Sequence, residues 1–124
     1  MIRLVLIALL LFALPAMAQE PMKIEKIIDG ETVMILEKPI KIWGIHTPPS
    51  SSLHHLASAW FLEEILKDKT VSCSAAQTST ALRCYSGSQD VGSLMVQMGM
   101  ATAADHYYDS KQALAKKERR GLWK

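Results

Sequence analysis

Outside residues 4–14 the sequence has no long apolar run, so no later stretch reaches the 20 or so apolar residues that a membrane-spanning helix needs. It has no excess of one charge either. Its 14 Lys and Arg stand against 12 Asp and Glu, a balance that gives no reason to expect nucleic acid from bulk charge. Internal repeats and low-complexity linkers are absent, and a chain of this length without them is expected to form a single domain with a modest core. Serines are plentiful, but no nucleophile elbow accompanies them, which speaks against a Ser/His hydrolase. Cysteine is scarce, with Cys73 and Cys84 the only two.

What is present begins with a leader. Met1-Ile2-Arg3 is a short basic start, Leu4 to Leu14 is apolar throughout, and Ala16 and Ala18 form an A-x-A cleavage pattern. Residues 1–18 are therefore expected to be a signal peptide and residues 19–124 the exported domain, periplasmic or secreted and off the membrane after cleavage. A retained, uncleaved anchor is the alternative. Without Arg3, 13 basic residues face 12 acidic ones, a formal net charge of +1. The basic run Lys116-Lys117-Glu118-Arg119-Arg120 is expected to be a solvated helix face. An even pair of cysteines in an exported chain favours a disulfide, with two free buried thiols as the alternative. Closing so short a loop would contribute roughly 3 kcal/mol.

Along the chain, Lys23 to Ile28 reads as a strand stopped by Asp29-Gly30, a strong hairpin signal. Thr32 to Leu36 returns as a second strand, Glu37-Lys38-Pro39 turns, and Ile40 to Ile45 is a third. Thr47-Pro48-Pro49-Ser50 can continue neither strand nor helix. From Leu53 to about Lys67 the spacing is helical, with Leu53, Leu56-Ala57, Trp60 and either Phe61 or Ala59 expected on the core face and Leu62, Ile65 and Leu66 widening it. Thr70–Ala75 and Ala81–Ser86 are short strands that the cysteines would join. Asp90 can cap a helix from Val91 to Met98, whose methionines are read as core filling. Asp109 is placed as the cap of a last helix, Ser110 to Arg120, with Gly121 ending it and Leu122-Trp123 packing back. Three strands, a helix, two strands and two helices imply an α+β chain, most economically a five-stranded OB-type barrel with about three helices.

Several motifs resemble the staphylococcal nuclease-like (thermonuclease) family. Asp29-Gly30-Glu31-Thr32 is similar to its D-G-D-T turn, and Gly44-Ile45-His46-Thr47-Pro48-Pro49 to its G-I-D-x-P-E loop. Ala57 to Leu62 is similar to the start of its first helix. Asp90 to Ala101 resembles its D-L-x-x-x-L-V-x-x-G-x-A helix, and Gly121-Leu122-Trp123 its closing G-L-W. Cys73 and Cys84 stand where exported members carry a cysteine pair. The ordered set covers nearly all of residues 19–124.

That resemblance implies an OB-type fold and calcium-dependent hydrolysis of phosphodiesters in DNA or RNA. The family uses carboxylates for calcium, a glutamate for water and two arginines for the phosphate. Calcium wants several hard oxygens, and a phosphoryl transition state wants guanidinium forks fixed where charge grows. Position by position, the first calcium aspartate falls on Glu31 and the second on His46. The first arginine falls on Lys41, which loses the bidentate fork. The water-activating glutamate falls on Pro49, and the second arginine near Ser79, in a loop uncharged from Ser74 to Leu82. Arg83 is close in sequence, but strand alternation argues against its substituting. The expected result is a thermonuclease-like domain that has lost the reaction and binds or assists instead. No cofactor is expected, calcium only if the family reaction persists. An active nuclease with altered metal use is the alternative.

Two further readings concern the same residues. Glu31 and His46, with His54-His55 just beyond, could bind a transition metal, although the spacing matches no standard ligand motif. A groove lined by Lys41, Trp43, Tyr85, Tyr107 and Tyr108 could take nucleic acid, a glycan or a protein. Core packing is the expected task of Trp43 and Trp60.

Overall fold

Turn chemistry sets up the first half of the fold. The structure, a computed structural model, describes residues 20–76 and 78–124, so the expected signal peptide lies outside the described residues. β2 (Lys26–Asp29), β3 (Thr32–Ile35) and β4 (Lys38–Lys41) form an antiparallel meander. The Asp29 carboxylate accepts the Glu31 N–H at 2.9 Å and so fixes the first turn. The second turn falls one step earlier than expected, on Leu36 and Glu37. Both have positive φ, as a two-residue type I′ hairpin requires. Lys38 and Pro39 therefore already lie in β4, where Pro39 is tolerated because that strand is an edge of its sheet.

The expected first strand is divided. Its start, β1 (Met22–Lys23), pairs with β6 (Thr70–Ala75), while β2 pairs with β3. β6 and β7 (Leu82–Ser86) are antiparallel with Cys73 directly opposite Cys84, and the two sulfurs are bonded. β8 (Gln89–Asp90) extends that sheet, and β5 (Ile45–His46) pairs with β9 (Thr102–Ala103). The expected α+β class with three helices is what the fold has. Its strands lie in sheets of four, three and two, none closed into a barrel. An isolated parallel bridge from Ile42 to Leu82 joins the end of β4 to β7.

α1 (His54–Leu66) has the predicted extent and buries Leu62 and Leu66 as expected, but its core face is turned away from Leu53, Leu56 and Trp60. Ser58, Leu62 and Leu66 are buried, whereas Leu53, Leu56 and Trp60 are 95%, 77% and 63% exposed. The close approach of the first turn decides it. A Cβ on Gly30 would stand 2.7 Å from the Cβ of Ser58, so turn and helix meet closely at these two small residues. The Ser58 hydroxyl is satisfied there by donating to the Met100 carbonyl.

α2 (Val91–Gln97) is capped as expected, with Asp90 accepting the Ser93 N–H at 3.1 Å, and it buries Val91, Met95 and Val96. α3 (Asp109–Lys117) is not capped by Asp109, which is its first residue. Asp105 caps the preceding 3-10 turn instead, accepting the Tyr107 N–H at 2.9 Å. At the end of the chain Leu122 donates to the Gly99 carbonyl at 2.8 Å. Gly99, at φ +71°, lies so close to the Arg120 carbonyl that no Cβ fits. Among the described residues no helix is long and apolar enough to cross a membrane.

Candidate functional site

The segments that the sequence singled out converge on one cavity of about 250 Å³. Glu31, Lys41, His46 and Ser79 all line it, and its wall continues through the backbone of residues 42–45. Four of the five positions carried over from the family pattern therefore come together. The fifth does not. Pro49 is exposed and away from the cavity, its carbonyl accepting the Ser52 N–H in the turn that leads to α1.

Each lining residue has a local reason for its place. Glu31 follows the Asp29 turn, and its carbonyl accepts the Ile42 N–H at 2.7 Å, which sets it beside Lys41 at the open end of β3 and β4. His46 ends β5 opposite Thr102, with an exposed side chain. Ser79 sits in the β6–β7 loop, where its hydroxyl accepts the Ala81 N–H at 3.1 Å. Its role is to shape a turn, and it supplies no charge. Asp105 also lines the cavity, a residue that sequence reasoning left in an unassigned segment. Its signal was faint: an Asp directly before the turn that it caps, two residues from the N–H that it accepts.

Calcium does not fit these donors. Glu31 and Asp105 are the only carboxylates of the lining, opposite an amine and an imidazole, and calcium takes six to eight oxygens. Among the described residues no three His, Cys, Asp or Glu side chains gather to hold a metal. The grouping of His54 and His55 with Glu31 and His46 does not form. His55 Nδ1 is held 2.9 Å from the Pro48 carbonyl, and His54 lies in a separate pocket with Gly99 and Leu122.

Behind the cavity lies a packed aromatic cluster. Trp43 is buried, and its ring centre is 5.7 Å from Tyr108 and 6.0 Å from Tyr107. Tyr108 is 1% exposed, which removes it from the expected groove residues. Gly44, at φ +82°, makes room for it, since a Cβ there would stand 2.6 Å from the Tyr108 ring. The Tyr108 hydroxyl donates to the Asp90 carboxylate at 2.8 Å. Burial, then that hydrogen bond and the carboxylate's charge, hold the hydroxyl far above the ordinary phenol range. Tyr108 thus stays a neutral donor. Tyr85 is half-buried opposite Ser72 and Asp90 in its sheet and does not line the cavity. Tyr107, at 57% exposed, is the one groove tyrosine that is available to a ligand.

Arg83 completes the cluster. Its guanidinium carbon lies 4.6 Å from the Trp43 ring and 4.4 Å from the Tyr107 ring, against both. It is outside the cavity lining, so it does not replace the missing arginine. Its Nε is buried without a hydrogen-bond partner. No protein-family model matches the chain, and no curated protein matches it as a relative.

Proposed function

We propose that the chain is an exported thermonuclease-like domain that binds a ligand in the Glu31–Lys41–His46 cavity without hydrolysing it. One observation carries the reading. Four of the five residues that correspond to the family site share one cavity, yet they contribute one carboxylate, one amine, one imidazole and one hydroxyl. Such a set can hydrogen-bond and orient a polar ligand. It supplies neither the oxygens for calcium nor a guanidinium for the phosphate. The strand pairings support the OB-type arrangement that goes with this reading. Residues 22–29 pair at one end with β6 and at the other with β3, and the Ile42–Leu82 bridge links the meander to β7. Tyr107 on the adjoining surface offers a face for a base or a sugar ring, so nucleic acid, a glycan and a protein segment are the ligand classes to compare.

The alternative is an active nuclease with altered metal use, and Asp105 favours it by adding a second carboxylate to the lining. Incubating the purified protein with single-stranded DNA plus Ca²⁺, Mn²⁺ or Zn²⁺ separates the two. No turnover is expected. Turnover that vanishes in Glu31→Ala would establish the alternative. Gel-shift titrations against oligonucleotides and soluble glycans then choose among ligands. Binding that weakens steeply with salt identifies a nucleic acid, and no binding to any of the classes sinks the proposal.

A further inference from the structure

Helix α1 carries two apolar faces. One is spent on the core through Ser58, Leu62 and Leu66. The other runs along solvent through Leu53, Leu56 and Trp60, which at spacings of three and four form a single stripe. Three side chains this exposed present on the order of 500 Å² of apolar surface, within the range where patches on a folded chain serve interactions.

The charges along the same helix show what fits there. Acids are favourable at a helix N-terminus and bases at its C-terminus. α1 has no acidic residue in its first turn and no basic residue in its last, and its first turn begins with His54-His55. Its two acids, Glu63 and Glu64, are exposed in the C-terminal half, and the one base nearby, the exposed Lys67, lies at the cap beyond the helix end. Among the described residues the ion pairs are His106–Asp109 and Arg120–Glu118, and neither glutamate has an ion-pair partner there. A partner complementary to this helix is therefore apolar along its middle, acidic over residues 52–55, and short of acid beside residues 63–64. A second α1 running antiparallel has that pattern. A parallel copy would set acid against acid.

We propose that the protein self-associates through an isologous, antiparallel contact between two α1 helices. Trp60 of each copy packs on Leu56 of the other, and Glu63 and Glu64 of each lie over the other's helix start. The patch is below the standard size for a permanent interface, so the dimer is a dissociating one in the micromolar range.

Sedimentation velocity of the purified full chain across several decades of concentration reads this directly. The expected result is a monomer that converts to a dimer as concentration rises. Trp60→Ala and Leu56→Asp weaken the association at least tenfold with unchanged circular dichroism and melting, because both side chains are already in water. Direction is tested at Leu53, which the antiparallel contact places beside the partner's Glu63. Leu53→Glu weakens association at least tenfold, whereas Leu53→Lys retains it. A monomer at every concentration overturns the proposal. So does association that survives both the Trp60 and Leu56 variants, since another surface, such as the apolar segment Leu4–Leu14, would then carry it. Equal losses in the two Leu53 variants overturn the antiparallel arrangement.

Discussion

Trp43 separates two regions of opposite character. On one side is the cavity, where Glu31, Lys41, His46 and Ser79 meet with few bonds among their side chains. On the other side, Arg83, Tyr107, Tyr108 and Asp90 are held by ring contacts between 5.1 and 6.0 Å and by hydrogen bonds at 2.8 Å. The first region has the outline of a site and loose contents. The second is packed and its contents are fixed, with Tyr107 reaching the surface. Residues that form a frame must be rigid for the fold to stand, whereas residues that line an opening can change at little cost to it. A Ser at position 79 and a Pro at position 49 cost the fold nothing visible.

The contrast can be broken by unequal mutational effects. The largest effect is expected at Tyr108. Tyr108→Ala removes a fully buried ring and should cost about 3–5 kcal/mol in denaturant unfolding, and Tyr108→Phe about 1–3 kcal/mol through the lost bond to Asp90. Glu31→Gln, Lys41→Met and His46→Gln should each stay within about 0.5 kcal/mol. Rim variants as costly as Tyr108→Ala would show the two regions to be mechanically alike. Next comes Arg83→Met, which keeps the stem and removes the cation that lies against Trp43 and Tyr107. About 1 kcal/mol is expected, and a double-mutant cycle with Tyr107→Leu should recover a coupling of that order. Zero coupling would mean that the rings stack without the cation.

The smallest effect lies on the adjoining turn. The hydrogen bond that the His106 ring donates to Asp109, then the charges of Asp109 and Asp105, raise the His106 pKa above 6.5. A pKa raised in the folded state means that the stabilisation is fully present below pH 6.5 and lost as pH rises through the higher folded value. Because His106 is fully exposed, the change is better read by NMR titration than by melting. The midpoint should lie above 6.5 and fall toward it in Asp109→Asn, with the charge of Asp105 left in place. An unchanged midpoint would remove Asp109 as the cause.

Local chemistry was legible wherever it decided the structure. The Asp29-Gly30 turn, the Asp90 cap and the Cys73–Cys84 pairing follow from residue type and spacing. The convergence of Glu31, Lys41, His46 and Ser79 was legible only as a family pattern, since nothing local joins residues so far apart. Contact sterics were not legible. Leu53, Leu56 and Trp60 outweigh Ser58 on any hydropathy count, yet the closeness of Gly30 gives the contact to the serine. For Tyr108, aromatic identity said nothing about direction, which Gly44 and Asp90 determine from distant parts of the chain. Tyr85 was misplaced for a related reason, since alternation along β7 does not say which sheet face adjoins a cavity.

The bond between Cys73 and Cys84 spans two strands directly, with the β6–β7 loop beyond it. Thr78, Ser79 and Thr80 in that loop are exposed, and Ser79 forms part of the cavity wall. Outside the cell such a loop is where a protease would cut. The crosslink makes the cut invisible to the fold: both halves stay in register, and the molecule keeps its mass apart from one added water. Only a reductant then separates it into two fragments. The same bond that stabilises the intact chain thus converts a damaged one into a two-chain protein with an altered cavity wall.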